Sequence, residues 1–322
     1  MRWIIWAAVA LPAFFWGALH LMHRQWWAEN LSAMPGVFFG YFALMALLLF
    51  LFQHWLQAVV SSLAAVILWV LLPPAHNQVL ADCHSPVSVA QISELSSSRE
   101  LSSVIGTLAD NQVDLLVLQS VPAQQPHWQE LDRQYPYRYH VADLTSLEIR
   151  PASFHPTGPQ KSATEQVLLS RVPLSRVTVQ RLPSGMTIIQ GVWHPFPQEP
   201  ISFVVANPPF PDSEREWRKR NAALLAVQRL VAHSNQNEMM IVGDFNLAST
   251  SLLFINLFAG FETAPVSSWP NWWPDNQTPS FAMLSLDHFW LKALTSGRRI
   301  CSRSSYPVTG GEHNLVLTRI GY

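Results

Sequence analysis

Charge is what this chain lacks most. Only 13% of its 322 residues are Asp, Glu, Lys or Arg, against 49% hydrophobic residues, roughly half the charged share of an ordinary soluble domain. That deficit argues against a wholly water-borne protein and places part of the chain in lipid. The 20 basic and 21 acidic side chains leave a net charge of −1, without any Lys/Arg-rich tract. There is thus no strong nucleic-acid signature, which counts against a processive or non-specific nuclease. Internal repeats and low-complexity tails are missing as well. Cysteine is scarce, with only Cys83 and Cys301, enough for one disulfide or for two unrelated small apolar side chains.

The missing charge is concentrated before Pro73. Trp3 to Leu21, Pro35 to Phe52 and Leu56 to Leu72 contain no Lys, Arg, Asp or Glu, and each approaches the roughly 20 residues that cross a hydrocarbon core. The first run competes with a cleavable signal peptide, but it is long, Trp-rich and not followed by an Ala-X-Ala-like site. The second and third, separated by Gln53-His54-Trp55, form a tight helical hairpin or else one long helix. Trp26, Trp27 and Trp55 suit headgroup depth. The expectation is a membrane anchor of about three transmembrane helices over residues 1–72, with the lipid bilayer as partner. A linker over 73–84, opened by Pro73-Pro74, separates it from one domain over 85–322. Arg2 precedes the first run, and no Lys or Arg lies between the third run and Arg99. Positive-inside logic therefore leans towards a domain outside the cytoplasm.

Beyond the linker, strand and helix patterns alternate. Ser85 to Ile92 reads as a strand, Arg99 to Asp110 as a helix and Val113 to Gln119 as a buried strand, which together imply a parallel crossover. Gln166 to Leu174, Met186 to Trp193 and Ile201 to Ala206 read as further strands. Ser213 to His233 reads as a helix with Ser213 as N-cap and Glu216 at the capping-box position. Near its start Arg215, Arg218, Lys219 and Arg220 either meet lipid phosphates or, with Glu214 and Glu216, make a solvated face. A loop with Trp269, Pro270, Trp272, Trp273, Pro274 and Pro279 folds over its own aromatic rings or builds a membrane-facing rim.

Met239 to Asn246 is an apolar run that ends by presenting Asp244 and Asn246 together. Ser285 to Leu291 presents Asp287, and Gly310 to Leu317 presents Glu312 and His313. On an alternating strand His288 points away from Asp287. Taken singly, Asp287 and His313 could be a buried ion pair, and Asp244 with Asn246 a turn cap. Their order resembles the endonuclease/exonuclease/phosphatase superfamily of DNase I-like proteins. Val113 to Gln119, Leu169-Ser170-Arg171-Val172-Pro173-Leu174 and Asn207-Pro208-Pro209-Phe210-Pro211 add to the resemblance, the last being similar to a turn of a membrane-anchored bacterial subgroup.

That resemblance implies an α/β (α+β) fold, a four-layer α/β/β/α sandwich of two mixed sheets behind the transmembrane helices, with the site at the strand ends along one edge. It implies a multi-pass protein of the bacterial inner (cytoplasmic) membrane, its soluble domain periplasmic or extracellular. Asp244 would orient or deprotonate the attacking water and Asn246 would donate to a phosphate oxygen. Asp287 would fix the tautomer of His313 beside the phosphate. Cys83 and Cys301, placed before the first and last strands, could meet if their compartment is oxidising.

Four positions depart from the family pattern. Its main Mg²⁺ carboxylate falls on Ser120, its metal-site Asn on Ser93 beside Glu94, and its substrate-side His on Asn207, while Glu312 stands for the usual Asp. Mg²⁺ sheds water reluctantly and is held by carboxylates in near-octahedral geometry. Mg²⁺ or Mn²⁺ held by Glu312 and Glu94 is therefore expected to bind weakly or not at all. Two readings follow: a membrane-anchored phosphodiester or phosphomonoester hydrolase, or a catalytically inactive pseudoenzyme that binds a membrane protein or phospholipid headgroup.

Overall fold

The computed structural model describes residues 2–72, 76–95, 98–122, 131, 133–140, 164–182, 186–196, 198–271 and 278–322. The apolar N-terminal runs form α1 (Arg2–Leu21), α3 (Pro35–Leu51) and α4 (Trp55–Val70), and a short α2 (Trp26–Ser32) intervenes. α3 and α4 pack as a hairpin whose turn residue Gln53 takes a positive φ of 60°. Phe42, Leu49, Ala58, Ala65 and Leu68 join Val9 of α1 in a small apolar cluster. Polar atoms between these helices are satisfied, Tyr41 Oη donating to Ala8 O at 2.7 Å and Ser61 Oγ to Phe42 O at 2.9 Å. The outer faces are unlike a soluble bundle, since Phe14, Phe52 and Val70 are 76%, 72% and 76% exposed.

Trp3–Leu21 is, among the described residues, the one single helix long and apolar enough to cross a membrane. α3 reaches that length only together with α2, across a 55° bend, and α4 is shorter still. The break falls where Pro35 opens α3, a residue that cannot continue the preceding helix, and α2 carries Glu29, Asn30 and Ser32. Pro73 and Pro74 lie outside the described residues.

That domain consists of β1 (Asn77–Val79), β2 (Val87–Ser93), α5 (Ser98–Asn111), β3 (Leu115–Pro122), β4 (Tyr137–His140), β5 (Thr164–Ser170), β6 (Leu174–Arg181), β7 (Thr187–Trp193) and β8 (Ile201–Ala206). There follow α6 (Glu214–His233), β9 (Glu238–Asp244), α7 (Leu252–Ile255), β10 (Glu262–Thr263), β11 (Asp287–Ala293), β12 (Arg299–Tyr306) and β13 (Leu315–Gly321). One sheet runs β1-β12-β13-β2-β3-β5-β4 and the other β10-β11-β9-β8-β7-β6. Both are mixed: β2/β3 and β8/β9 are parallel, the remaining pairs antiparallel. Each parallel pair is bridged by a crossover helix, α5 in one sheet and α6 in the other.

The layers follow from which faces are apolar. Val89, Val117 and Leu168 of the first sheet meet Phe203, Val242 and Phe289 of the second, each large buried side chain contributing roughly 1.5–3 kcal/mol. Leu101, Val104, Ile105 and Leu108 of α5 recur at helical spacing and cover the outer face of the first sheet. Ala223, Leu224 and Val227 of α6 do the same for the second. With both faces covered, Leu115 to Leu118 can be continuously apolar. The result is an α/β/β/α sandwich.

Three local expectations change. Asn77–Val79, within the segment read as linker, pairs with Ser302–Ser304 as an edge strand. Gln166 to Leu174 is not one strand: Ser170 Oγ bonds to Val172 at both its N and O, and β6 starts afresh at Leu174. Cys301 lies inside β12, the penultimate strand, rather than just before the last. β12 was hard to read because its Arg303 is buried. Cys83 and Cys301 are joined by a disulfide.

Candidate active site

β9 and β11 are antiparallel neighbours whose register sets Asp244 directly opposite Asp287. β9 can run this close to β8 only because residue 243 is glycine. Its φ is +148°, and a Cβ there would sit 2.0 Å from Ala206 O. Gln119, from the other sheet, fixes the strand end: its Oε1 accepts from Asp244 N at 2.7 Å and its Nε2 donates to Ala206 O at 3.0 Å. Arg303 lies beneath, Nη2 donating to Asp287 O at 3.2 Å, Nη1 to Ala264 O at 2.8 Å and Nε to Thr318 Oγ1 at 3.0 Å. Burial pulls its pKa down to about 9, opposed by the charge of Asp287.

His313 enters from the turn before β13, in the first sheet. Its Nδ1 donates to Asp287 Oδ2 at 2.8 Å, and its Nε2 stands 3.9 Å from Asp244 Oδ2. Asn246 completes the cluster. Its backbone N donates to Asp244 Oδ1 at 3.0 Å, and its Nδ2 donates to Pro208 O at 2.9 Å and Asp244 Oδ2 at 3.3 Å. All four expected residues thus converge, and all are buried.

Burial pushes Asp244 up to about 8, against the attraction of His313. The same burial pulls His313 down, but Asp287 and Asp244 outweigh it and hold the imidazole up at about 9. Asp287 resists its own burial because His313 stabilises its charge, and its pKa falls below the ordinary value. The site at neutral pH is therefore an imidazolium held by one ionised carboxylate and facing a second whose proton is loosely kept. Asp244 carries its proton at neutral pH and becomes available as a base as pH rises toward 8.

The positions that depart from the family pattern have closed on each other. Asn207 Nδ2 donates to Ser120 Oγ at 2.9 Å, a neutral contact at the position where the family pattern has its metal-binding carboxylate. Ser93 Oγ donates to Gln119 Oε1 at 3.4 Å. Glu94 and Glu312 are exposed, and neither joins the one acidic and imidazole cluster found among the described residues, Asp244, Asp287 and His313, whose ligand atoms lie within 4.8 Å of one another. Glu94, at a φ of 59°, stands outside the cluster but close enough for its charge to be a lesser influence on Asp244 and His313. The cluster's donors are also partly committed, because Asp287 Oδ2 and His313 Nδ1 serve each other. Asp244, one imidazole nitrogen and Asp287 Oδ1, a buried oxygen with no hydrogen-bond partner, remain, too few oxygens to fill the octahedron of Mg²⁺ without water.

Arg220 is not on the solvated face of α6; it is 2% exposed and paired with Glu29 at 2.7 Å. Arg218–Glu214 and Lys219–Glu216 do form the expected outer pairs, of small energetic weight. Trp269 packs on Phe210, ring centres 5.6 Å apart, and borders a cluster of Ala33, Ala248 and Leu286. Trp272, Trp273 and Pro274 lie outside the described residues.

His288 points away from the site, its Nε2 donating to Leu247 O at 2.7 Å beside the rings of Phe254 and Trp290. Burial depresses its pKa from 6.5 to about 4. The folded state thus refuses a proton that the unfolded chain accepts. The stability this neutral ring contributes is whole above pH 6.5 and is lost as pH falls toward 4, by about 3 kcal/mol. His288→Phe is expected to flatten that acid limb. Denaturant titrations of both proteins from pH 7 to 4 check it, and parallel curves would refute it.

The model of the endonuclease/exonuclease/phosphatase family matches residues 92–307. TDP2 from D. rerio, solved with a single-strand DNA product, superposes with a TM-score of 0.54 at 11% identity, over 74% of this chain and 100% of that one. The human Nocturnin catalytic domain, with bound sulfate, gives 0.53 at 14%, over 76% and 96%. An endonuclease/exonuclease/phosphatase protein from Beutenbergia cavernae gives 0.54 at 13%, over 74% and 72%. Identities this low carry the fold alone. No curated protein sequence matches the chain.

Proposed function

The chain belongs to the endonuclease/exonuclease/phosphatase family, and from that premise we propose that it is a membrane-anchored phosphoester hydrolase with a metal-poor site, acting at the bilayer surface on a phosphodiester or phosphomonoester. The observation that carries the reading is the convergence of Asp244, Asn246, Asp287 and His313 from three separate segments, with His313 2.8 Å from Asp287 and 3.9 Å from Asp244.

In this mechanism the ionised form of Asp244, which grows as pH rises toward 8, takes a proton from the attacking water. The water oxygen bonds to phosphorus as the ester P–O bond breaks, and the alkoxide leaves with the proton that Asp244 has gained. The protonated His313, fixed by Asp287, lies against the phosphate oxygens where negative charge grows, and Asn246 Nδ2 exchanges Pro208 O for another of those oxygens. The anchor is supported by the many large apolar side chains that α1, α3 and α4 leave exposed. The Cys83–Cys301 bond supports a domain on the oxidising side of the inner membrane of a bacterium. A phospholipid headgroup is the phosphate source nearest such a domain.

The Ser120–Asn207 bond favours a second reading, a binding module without turnover, and the same experiment separates the two. In full-length protein in lipid nanodiscs, calorimetry is expected to find no saturable Mg²⁺ or Mn²⁺ binding below about 1 mM. Submillimolar binding that disappears in Asp244→Ala would overturn the metal-poor site. Ser120→Glu restores a carboxylate and is expected to tighten divalent binding at least tenfold, about 1.4 kcal/mol, and to raise hydrolysis of bis(p-nitrophenyl) phosphate. If neither the native chain nor Ser120→Glu hydrolyses a phosphoester, the hydrolase reading falls and the binding module stands.

A further inference from the structure

We propose that α2, outside the catalytic sandwich, is a working part of its site: Glu29 positions Asn246 through Arg220. The catalytic half of this inference rests on the hydrolase reading; the structural half does not. Glu29 is 5% exposed and Arg220 2%, and they lie 191 residues apart in sequence. Glu29 Oε2 accepts from Arg220 Nη2 at 2.7 Å and from Trp217 Nε1, while its Oε1 accepts from Ser251 Oγ at 3.1 Å. The other terminal nitrogen of Arg220, Nη1, donates to Asn246 O at 3.0 Å.

Asn246 needs such a hold. Its φ is 49°, the left-handed region that non-glycine residues leave unless their surroundings fix them. Arg220 holds its carbonyl, Asp244 its backbone N, and Pro208 its side-chain amide. α2 also reaches the two neighbouring loops: Asn30 Nδ2 donates to Pro211 O at 2.8 Å, and Thr250 Oγ1 donates to Ala33 O at 3.0 Å. Ala33 packs on Ala248 and on Leu286, the residue before Asp287.

A buried ion pair is a poor source of net stability, and apolar residues of similar volume usually replace one at little cost. What an apolar pair cannot supply is the directed N–H to Asn246 O. Seating α2 on the sandwich therefore sets the geometry of the phosphate contact, and release of α2 loosens it.

The test uses full-length protein in nanodiscs and the double variant Glu29→Met/Arg220→Met. Its thermal midpoint is expected to fall, because Trp217 Nε1, Ser251 Oγ and Asn246 O lose their partners, with the fold retained. Amide hydrogen exchange of the peptide spanning 244–248 is expected to rise at least tenfold while β13 is unchanged, and kcat on bis(p-nitrophenyl) phosphate to fall at least tenfold with little change in KM. Native exchange at 244–248 overturns the positioning role. Should the double variant fail to fold, Glu29→Gln carries the test: faster exchange confined to 244–248 supports positioning, and an unchanged or uniform rise overturns it. A native protein with no turnover sinks the hydrolase reading but leaves the exchange result to decide this one.

Discussion

Asp287→Asn is expected to lower kcat of the full-length protein about a thousandfold, close to 4 kcal/mol of transition-state stabilisation, with its fold retained. The substituted amide keeps the size of the carboxylate but not its charge. Asp287 Oδ2 accepts the proton on His313 Nδ1 at 2.8 Å, and its charge is the foremost influence opposing burial at that imidazole. Without it burial prevails, and His313 loses its proton well below the native value of about 9. Two readouts follow. Steady-state kinetics in nanodiscs gives the drop in kcat, and the alkaline limb of the pH profile moves to lower pH by one unit or more. Far-UV circular dichroism checks that the sandwich persists. A loss under tenfold with an unmoved alkaline limb would show that the dyad has no part in turnover.

The second large effect concerns stability. Cys83 and Cys301 are separated by 218 positions, so their bond closes most of the domain into one loop. In the chain-entropy account a loop of that length is worth about 5 kcal/mol, a sizeable share of what an ordinary domain possesses. Cys83→Ser/Cys301→Ser is expected to shift the denaturant midpoint by a corresponding amount, and native protein under reducing conditions should follow it. Coincident curves for the oxidised, reduced and double-serine forms would remove the bond from the ledger. The same cysteines report location in cells: protein extracted without reductant should offer no free thiol to maleimide, whereas two labelled thiols would place the domain in a reducing compartment.

Much of the candidate cluster was legible because each member stands beside one end of an apolar run, and for Asp287 the strand pleat also fixes which way it faces. Asp287 and His288 illustrate this: they are adjacent in the chain, and the pleat sends them to opposite sides. The supporting groups were not legible. Arg220 sits among charged neighbours on α6 and reads as solvated, since its partner Glu29 is remote in sequence and lies in a segment whose composition speaks only of lipid. Arg303 makes β12 look polar, and its acceptors are mostly backbone atoms that no pattern of side chains announces. Gln119 was visible only as part of a strand ending; that it crosses to the other sheet and holds Asp244 N depends on how two layers stack. Local periodicity tells a residue's face, whereas long-range hydrogen bonding depends on which elements become neighbours.

The sulfur bridge also changes how mechanical tension can travel. A pull between the N-terminal helices and Tyr322 runs along residues 1–83, crosses to Cys301 and leaves through the rest of β12 and β13. The polymer between those cysteines, with Asp244, Asn246 and Asp287, is bypassed like a side loop off a taut rope. Strain in those helices would therefore reach these groups only through noncovalent seams, of which the contact of α2 with Arg220 is the most direct.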